Sequence, residues 1–142
     1  SAVWEAANAA DAVAADPVGT YAAAAAEVLE AFADDGVLDA AFALPEFGPG
    51  ATFPGALAIG FHFVDYVVHG WDVARAIAAP FELPADVVAA ALPLVLAVPD
   101  GEYRTFAGAP FGPAVATHDA ATDFDRILGQ LGRSPHWAPP TG

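Results

Sequence analysis

Polar side chains in the middle of the chain recur at steps of three, four and three residues. His62, Asp65, His69 and Asp72 interrupt an otherwise apolar stretch. At about 100° of rotation per residue the four fall within an arc of about 80° on one helix. The pattern therefore predicts a long central helix from Thr52-Phe-Pro54 to about Ala78, stopping before Pro80. Ahead of it, Ala2–Ala15 is helix-compatible with Val3, Trp4 and Val13 as its large apolar residues. Asp16-Pro17 reads as an N-cap followed by proline at the first helical position. The helix it opens should reach about Asp34, with Tyr21, Val28, Leu29 and Phe32 inward and Glu27 and Glu30 outward, ended by Asp35-Gly36. Val37 to Leu44 is ambiguous, and Pro45-Glu-Phe-Gly-Pro-Gly50 is a loop.

Past the central helix, another is expected from Pro84 to Val98 with a kink at Pro93, then a turn at Val98-Pro-Asp-Gly101. Glu102–Thr117 is rich in Gly, Pro and Phe and reads as an ordered loop, with Phe106 and Phe111 as packing anchors. Asp119–Leu131 is a last amphipathic helix that buries Phe124, Ile127, Leu128 and Leu131; Gly132 caps it and Arg133 serves its terminal carbonyls. His118 and His136 belong to loop and tail. Strand-like alternation is sparse and no repeat is visible, so the pattern gives an all-α bundle forming a single domain over the 142 residues.

Composition narrows the chemistry. Apolar residues make up 56% and charged residues 15%, which marks a globular chain. A net charge of −14, with arginine only at 75, 104, 126 and 133, argues against nucleic acid and anionic membrane as partners. Without lysine there is neither a Walker-type phosphate loop nor a Schiff-base nucleophile, and without cysteine there is no disulfide, thiol nucleophile or thiolate ligand. No segment reads as a membrane span or a signal peptide, so a cytoplasmic protein is expected.

Within the polar stripe, Asp65 and His69 form an acid–histidine pair one turn apart, about 6 Å along the axis, so both heads can converge on one ion. Nitrogen and oxygen donors without sulfur suit Zn, Ni, Mn or Fe alike, and Zn is the metal expected. His62 is the third candidate ligand. Asp72, one turn beyond His69, is placed to fix the tautomer of a ligand histidine or to move a proton. Arg75 is placed to pair with Asp72 or to hold an anionic substrate, and Trp71 to pack between helices. Asp72 and Arg75 are thus the candidate catalytic residues. The plainer alternatives are a hydrogen-bonded core histidine at 62, a buried hydrogen bond within the helix between Asp65 and His69, and a structural ion pair between Asp72 and Arg75.

The segment Asp65-Tyr-Val-Val-His69-Gly-Trp71-Asp72-Val-Ala-Arg75-Ala resembles the D-x-x-x-H-G-W-D-x-A-x-A signature of actinobacterial metal-binding proteins. These are related to mycothiol-dependent maleylpyruvate isomerase in the DinB-like superfamily. The likeness extends through Asp16-Pro17, Val98-Pro-Asp100, Ala109-Pro-Phe111-Gly-Pro and Gly132-Arg133-Ser-Pro-His-Trp137, and so covers nearly the whole chain. It implies a DinB-like four-helix bundle with a Gly/Pro-rich C-terminal extension and a final helix, and a metal held near one end by three side chains. Asp65 and His69 match the acid-x-x-x-His pair, with aspartate where the isomerase has glutamate. The first-helix histidine of that family has no counterpart here, which implies that the family's N-terminal helix is absent from this sequence and that His62 substitutes as a ligand or lines the pocket.

The resemblance further implies a transferase or isomerase dependent on a divalent metal and a low-molecular-weight thiol such as mycothiol, acting on a small electrophile. The alternatives are a metal- or small-ligand-binding domain without turnover, forming a homodimer through its alanine-rich helices, and a structural helical subunit whose polar stripe is an inter-helix hydrogen-bond network.

Overall fold

The computed structural model describes residues 14–105, 109 and 111–139. The chain is mostly helical, with four helices among the described residues and one small sheet: α1 (Pro17–Phe32), β1 (Ala41–Ala43), β2 (Thr52–Pro54), α2 (Gly55–Ala76), α3 (Ala85–Leu96) and α4 (Asp123–Gln130). It divides into two compact units, residues 1–59 and 60–142. None of the described helices is long and apolar enough to cross a membrane.

In the first unit, α1 begins as its sequence predicts. The Asp16 carboxylate accepts a hydrogen bond from the Gly19 N–H at 3.0 Å, and Pro17 occupies the first turn, where its missing N–H costs nothing. Val28 and Phe32 are half-buried as expected, whereas Tyr21 and Leu29 are 61% and 70% exposed. Of the helix expected over Ala2–Ala15, only residues 14 and 15 are described, and both are helical.

The larger departure is a β-hairpin: its first strand resolves the ambiguous Val37–Leu44 segment and its second takes the place of the expected helix start at Thr52. β1 and β2 pair antiparallel with Phe42 opposite Phe53, and Phe47 in the connection packs edge-on against Phe53 at 5.1 Å. Each strand has three residues, too few for period-two alternation to show, and β2 consists of the Thr-Phe-Pro that reads equally well as a helix start. Helix α2 consequently begins at Gly55, whose N–H is bonded to the Ala40 carbonyl and whose missing side chain leaves room for the Val37 carbonyl.

In the second unit, α2 turns Val64, Val67, Val68 and Trp71 into a core completed by Ala91 and Val95 of α3 and by Ile127, Leu128 and Leu131 at α4. Phe81 and Phe124 pack on it with ring centroids 5.9 Å apart. Helix α4 starts later than Asp119, because Thr122 makes a capping box with Asp125. The Thr122 hydroxyl accepts from the Asp125 N–H at 3.1 Å, and the Asp125 carboxylate accepts from the Thr122 N–H at 2.9 Å. The expected inward face of that helix is otherwise correct. Phe111 is half-buried against the core, and Phe106 lies outside the described residues.

A buried arginine ties the ends of these helices together. Arg104 is 5% exposed and donates to the carbonyls of Pro99 (2.8 Å), Val98 (3.3 Å), Gly112 (3.2 Å) and Gln130 (2.5 Å), with the Asp100 carboxylate 3.6 Å from its Nε. Val98 and Gln130 lie at the C-terminal ends of α3 and α4, where unpaired carbonyls and the helix dipole both favour a cation.

Candidate metal centre

The end of α4 delivers one side of the site. Gly132 adopts φ +81, the left-handed conformation a Schellman cap requires, and the two bonds of that motif are present. The Arg133 N–H donates to Leu128 O at 2.8 Å and the Gly132 N–H to Gly129 O at 3.0 Å. The cap turns the chain back and aims the Arg133 side chain at α2. There Arg133 Nη2 donates to Asp72 Oδ2 at 2.8 Å and its Nε to Oδ1 at 3.3 Å, a forked contact matched to the carboxylate plane. Arg133 Nη1 also reaches Leu131 O, as the sequence suggested, and its guanidinium lies 5.7 Å over the Phe111 ring.

From Asp72 the contacts run back along α2. Asp72 Oδ2 is 2.9 Å from His69 Nδ1, and His69 Nε2 is 3.2 Å from Asp65 Oδ1, so both nitrogens of one imidazole face carboxylates. Partial burial pushes the Asp72 carboxyl pKa up, but hydrogen bonding and charge from Arg133, with a lesser contribution from His69, outweigh it and hold the pKa below the ordinary value. The His69 and Asp65 side chains are 53% and 54% exposed, so the buried intrahelical hydrogen bond considered for them does not describe the pair.

The structure brings together three of the four stripe residues. His62 sits against the Tyr66 ring with centroids 4.5 Å apart, and among the described residues no three His, Asp or Glu side chains gather as a metal-holding group. Arg75 does not pair with Asp72. Its guanidinium lies 5.5 Å over the Trp71 ring and reaches the Pro135 carbonyl at 3.5 Å, while Arg133 takes the carboxylate with the better fork. Trp71 is buried in the core, as expected. Beside Asp72, a concavity of about 270 Å³ is lined by Trp71, Asp72, Gly132, Arg133, Ser134 and Trp137.

Reasoning from sequence missed two features. It assigned Arg133 only to the helix carbonyls, and nothing local marks a partner 61 residues away. It also left His118 and His136 apart, whereas their rings lie parallel within 4° at 6.4 Å, lining a hollow of about 100 Å³ that Asp125 also lines. Burial raises the Asp125 pKa, but the Thr122 hydrogen bonds and then the charges of His136 and His118 bring it below the ordinary value. No protein-family model, curated protein or solved structure matches the chain.

Proposed function

We propose that this protein binds a divalent metal ion through Asp65 and His69, with Asp72 and Arg133 orienting the histidine. The observation that carries this reading is the 3.2 Å between His69 Nε2 and Asp65 Oδ1. Two donors bound at about 2.1 Å to one ion stand about 3.0 Å apart at a right angle and about 3.4 Å apart at the tetrahedral angle. The pair is therefore spaced like one edge of a coordination polyhedron. His69 supports the reading from its other side. A neutral imidazole carries one ring proton, and if Nδ1 donates it to Asp72, the Nε2 lone pair faces a carboxylate oxygen. A cation between those two atoms satisfies both, and the carboxylate–histidine–metal order is a common one. The donor set suits Zn, and equally Ni, Mn or Fe.

The resemblance carried by Asp65 to Ala76 extends the proposal to a DinB-like four-helix bundle and to thiol-dependent transfer or isomerisation of a small electrophile, with a mycothiol-like thiol as co-substrate. A bound divalent ion lowers the pKa of a coordinated thiol or water. On this reading Asp65 and His69 hold the ion, Asp72 holds the proton at His69 Nδ1, and Arg133 keeps Asp72 ionised. Arg75, set on the Trp71 ring, offers a cation to an anionic group, and the concavity beside Asp72 has room for a small molecule. A cytoplasmic location fits, since low-molecular-weight thiols are kept reduced there.

The exposure of Asp65 and His69 favours a second reading, a metal-holding domain without turnover, because catalytic centres exclude water. Metal content by ICP-MS, on untagged protein purified without chelator, tests the shared claim: metal retained by the wild type and lost from an Asp65→Ala, His69→Ala double variant supports it, and equal content in both sinks it. Chelator-sensitive conjugation of a thiol to a chromogenic electrophile then separates enzyme from binding domain.

A further inference from the structure

Two histidines flank α4 in the sequence. His118 lies in the loop before its capping box, and His136 follows the Gly132 turn that closes it. Their rings are parallel within 4° with centroids 6.4 Å apart, and both line the hollow of about 100 Å³ that Asp125 also lines. Flat groups in contact lie about 3.5 Å apart, so two rings that enclose one flat layer stand about 7 Å apart. The observed separation is too wide for face-to-face contact and close to that needed for a flat guest.

Asp125 sets the charge of such a guest. Its Oδ2 accepts from the Thr122 N–H at 2.9 Å and the Thr122 hydroxyl at 2.8 Å, whereas Oδ1 accepts no hydrogen bond among the described residues. The chain's own cations are engaged elsewhere. There is no lysine, Arg75 lies over Trp71, Arg104 donates to carbonyls, Arg126 is bonded to Asp123 and Arg133 to Asp72. A net charge of −14 draws cations to the protein from outside. The hollow is far smaller than a site for a drug-sized ligand, so it admits a head group of a few heavy atoms.

We propose that this hollow binds the guanidinium group of an alkylguanidine, with its plane between the His118 and His136 rings and an N–H donated to Asp125 Oδ1. A guanidinium is flat, delocalised and weakly hydrated, so it stacks on ring faces while its donors point outward in its own plane. An ammonium carries the same charge but has no flat face. The group arrives on a free small molecule or on the arginine side chain of a peptide, and the chemistry of recognition is the same. The site uses none of the residues assigned to the metal and stands independently of that reading.

NMR titration of the histidine ring signals tests this, at about pH 8, above the ordinary histidine range, and about 0.15 M salt. The probes are agmatine, an acetylated and amidated Gly-Arg-Gly peptide, and putrescine as the ammonium counterpart of agmatine. Saturable shifts are expected at His118 and His136 and not at His62 or His69, with putrescine binding about tenfold more weakly or worse. His136→Ala, at an exposed position, should weaken agmatine about fivefold; His136→Phe, which keeps a ring face, should recover it; Asp125→Asn should weaken it about tenfold. Tighter agmatine assigns the site to a free guanidine, and tighter peptide to an arginine side chain. Equal response to putrescine, shifts that do not saturate, or unchanged affinity in His136→Ala each overturn the proposal.

Discussion

Arg133 grips both carboxylate oxygens of Asp72 across 61 residues of chain, and Asp72 in turn faces the inner nitrogen of His69. The C-terminal cap of one helix thereby sets the orientation of a side chain on another. His69 is exposed and would otherwise sample its rotamers freely; this chain of contacts fixes it.

The contact should be visible in stability and in its pH dependence. Asp72 has a lowered pKa in the folded protein, so its contribution is full above the pKa of the unfolded chain and is lost as pH falls through the folded value. Replacing Arg133 with Gln should cost about 1–2 kcal/mol at pH 7, given a charge-assisted contact at a partly exposed acid. The loss should shrink below the ordinary carboxylate range, at about pH 3. Urea unfolding at the two pH values measures it, and an equal loss at both would contradict the assignment.

Arg104 should tolerate substitution poorly. Lysine keeps the charge but cannot reach four carbonyls from one ammonium, so Arg104→Lys leaves buried acceptors unpaired. A loss of roughly 2–4 kcal/mol is expected, as for other broken buried networks. Chemical denaturation reads it directly, and a variant within about 0.5 kcal/mol of wild type, the range of ordinary surface substitutions, would refute the role.

Gly129 lies in α4 where the chain passes close by. A methyl group added there would sit 2.7 Å from both the Val115 carbonyl oxygen and a Thr117 methyl, and the Val115 N–H is bonded to the Gly129 carbonyl. Alanine is the better helix former, but here backbone must shift to admit it, so Gly129→Ala should destabilise by about 1–3 kcal/mol. Thermal unfolding should show a lowered midpoint; an unchanged or raised one would mean that the Val115 segment moves aside without cost.

Thr122 closes the capping box of the same helix. Thr122→Ala removes the acceptor for the Asp125 N–H and one donor to the Asp125 carboxylate, and should cost about 1 kcal/mol. Because the hydroxyl's bond to the carboxylate helps hold the Asp125 pKa down, the variant should also lose less stability than wild type on acidification. Thr122→Ser restores both bonds and should recover most of the loss in a denaturant titration.

Local rules governed what could be read from the sequence. Asp16-Pro17 opens α1, Gly132 closes α4, and the apolar spacing in α4 picks out its buried face, because caps and helical period act within a few residues. The juxtaposition of Asp65 and His69 belongs to the same class: four residues on one helix are one turn apart whatever surrounds them. Three-residue strands carry no such period, so the hairpin at Phe42 and Phe53 stayed hidden.

Only the tertiary structure could decide which partner each charge takes. By spacing, Arg75 was as good a match for Asp72 as any residue, yet the Schellman turn at Gly132 brought Arg133 to the carboxylate and left Arg75 on Trp71. The carbonyls around Arg104 and the parallel rings of His118 and His136 likewise meet across separations that no local period encodes. The sequence by itself determined where α1 begins, where α4 ends and which side chains of α4 share a face, since these follow from backbone geometry over one or two turns. Packing determined which of those faces meet, because long-range contacts form only once the core of α2, α3 and α4 has fixed their distances.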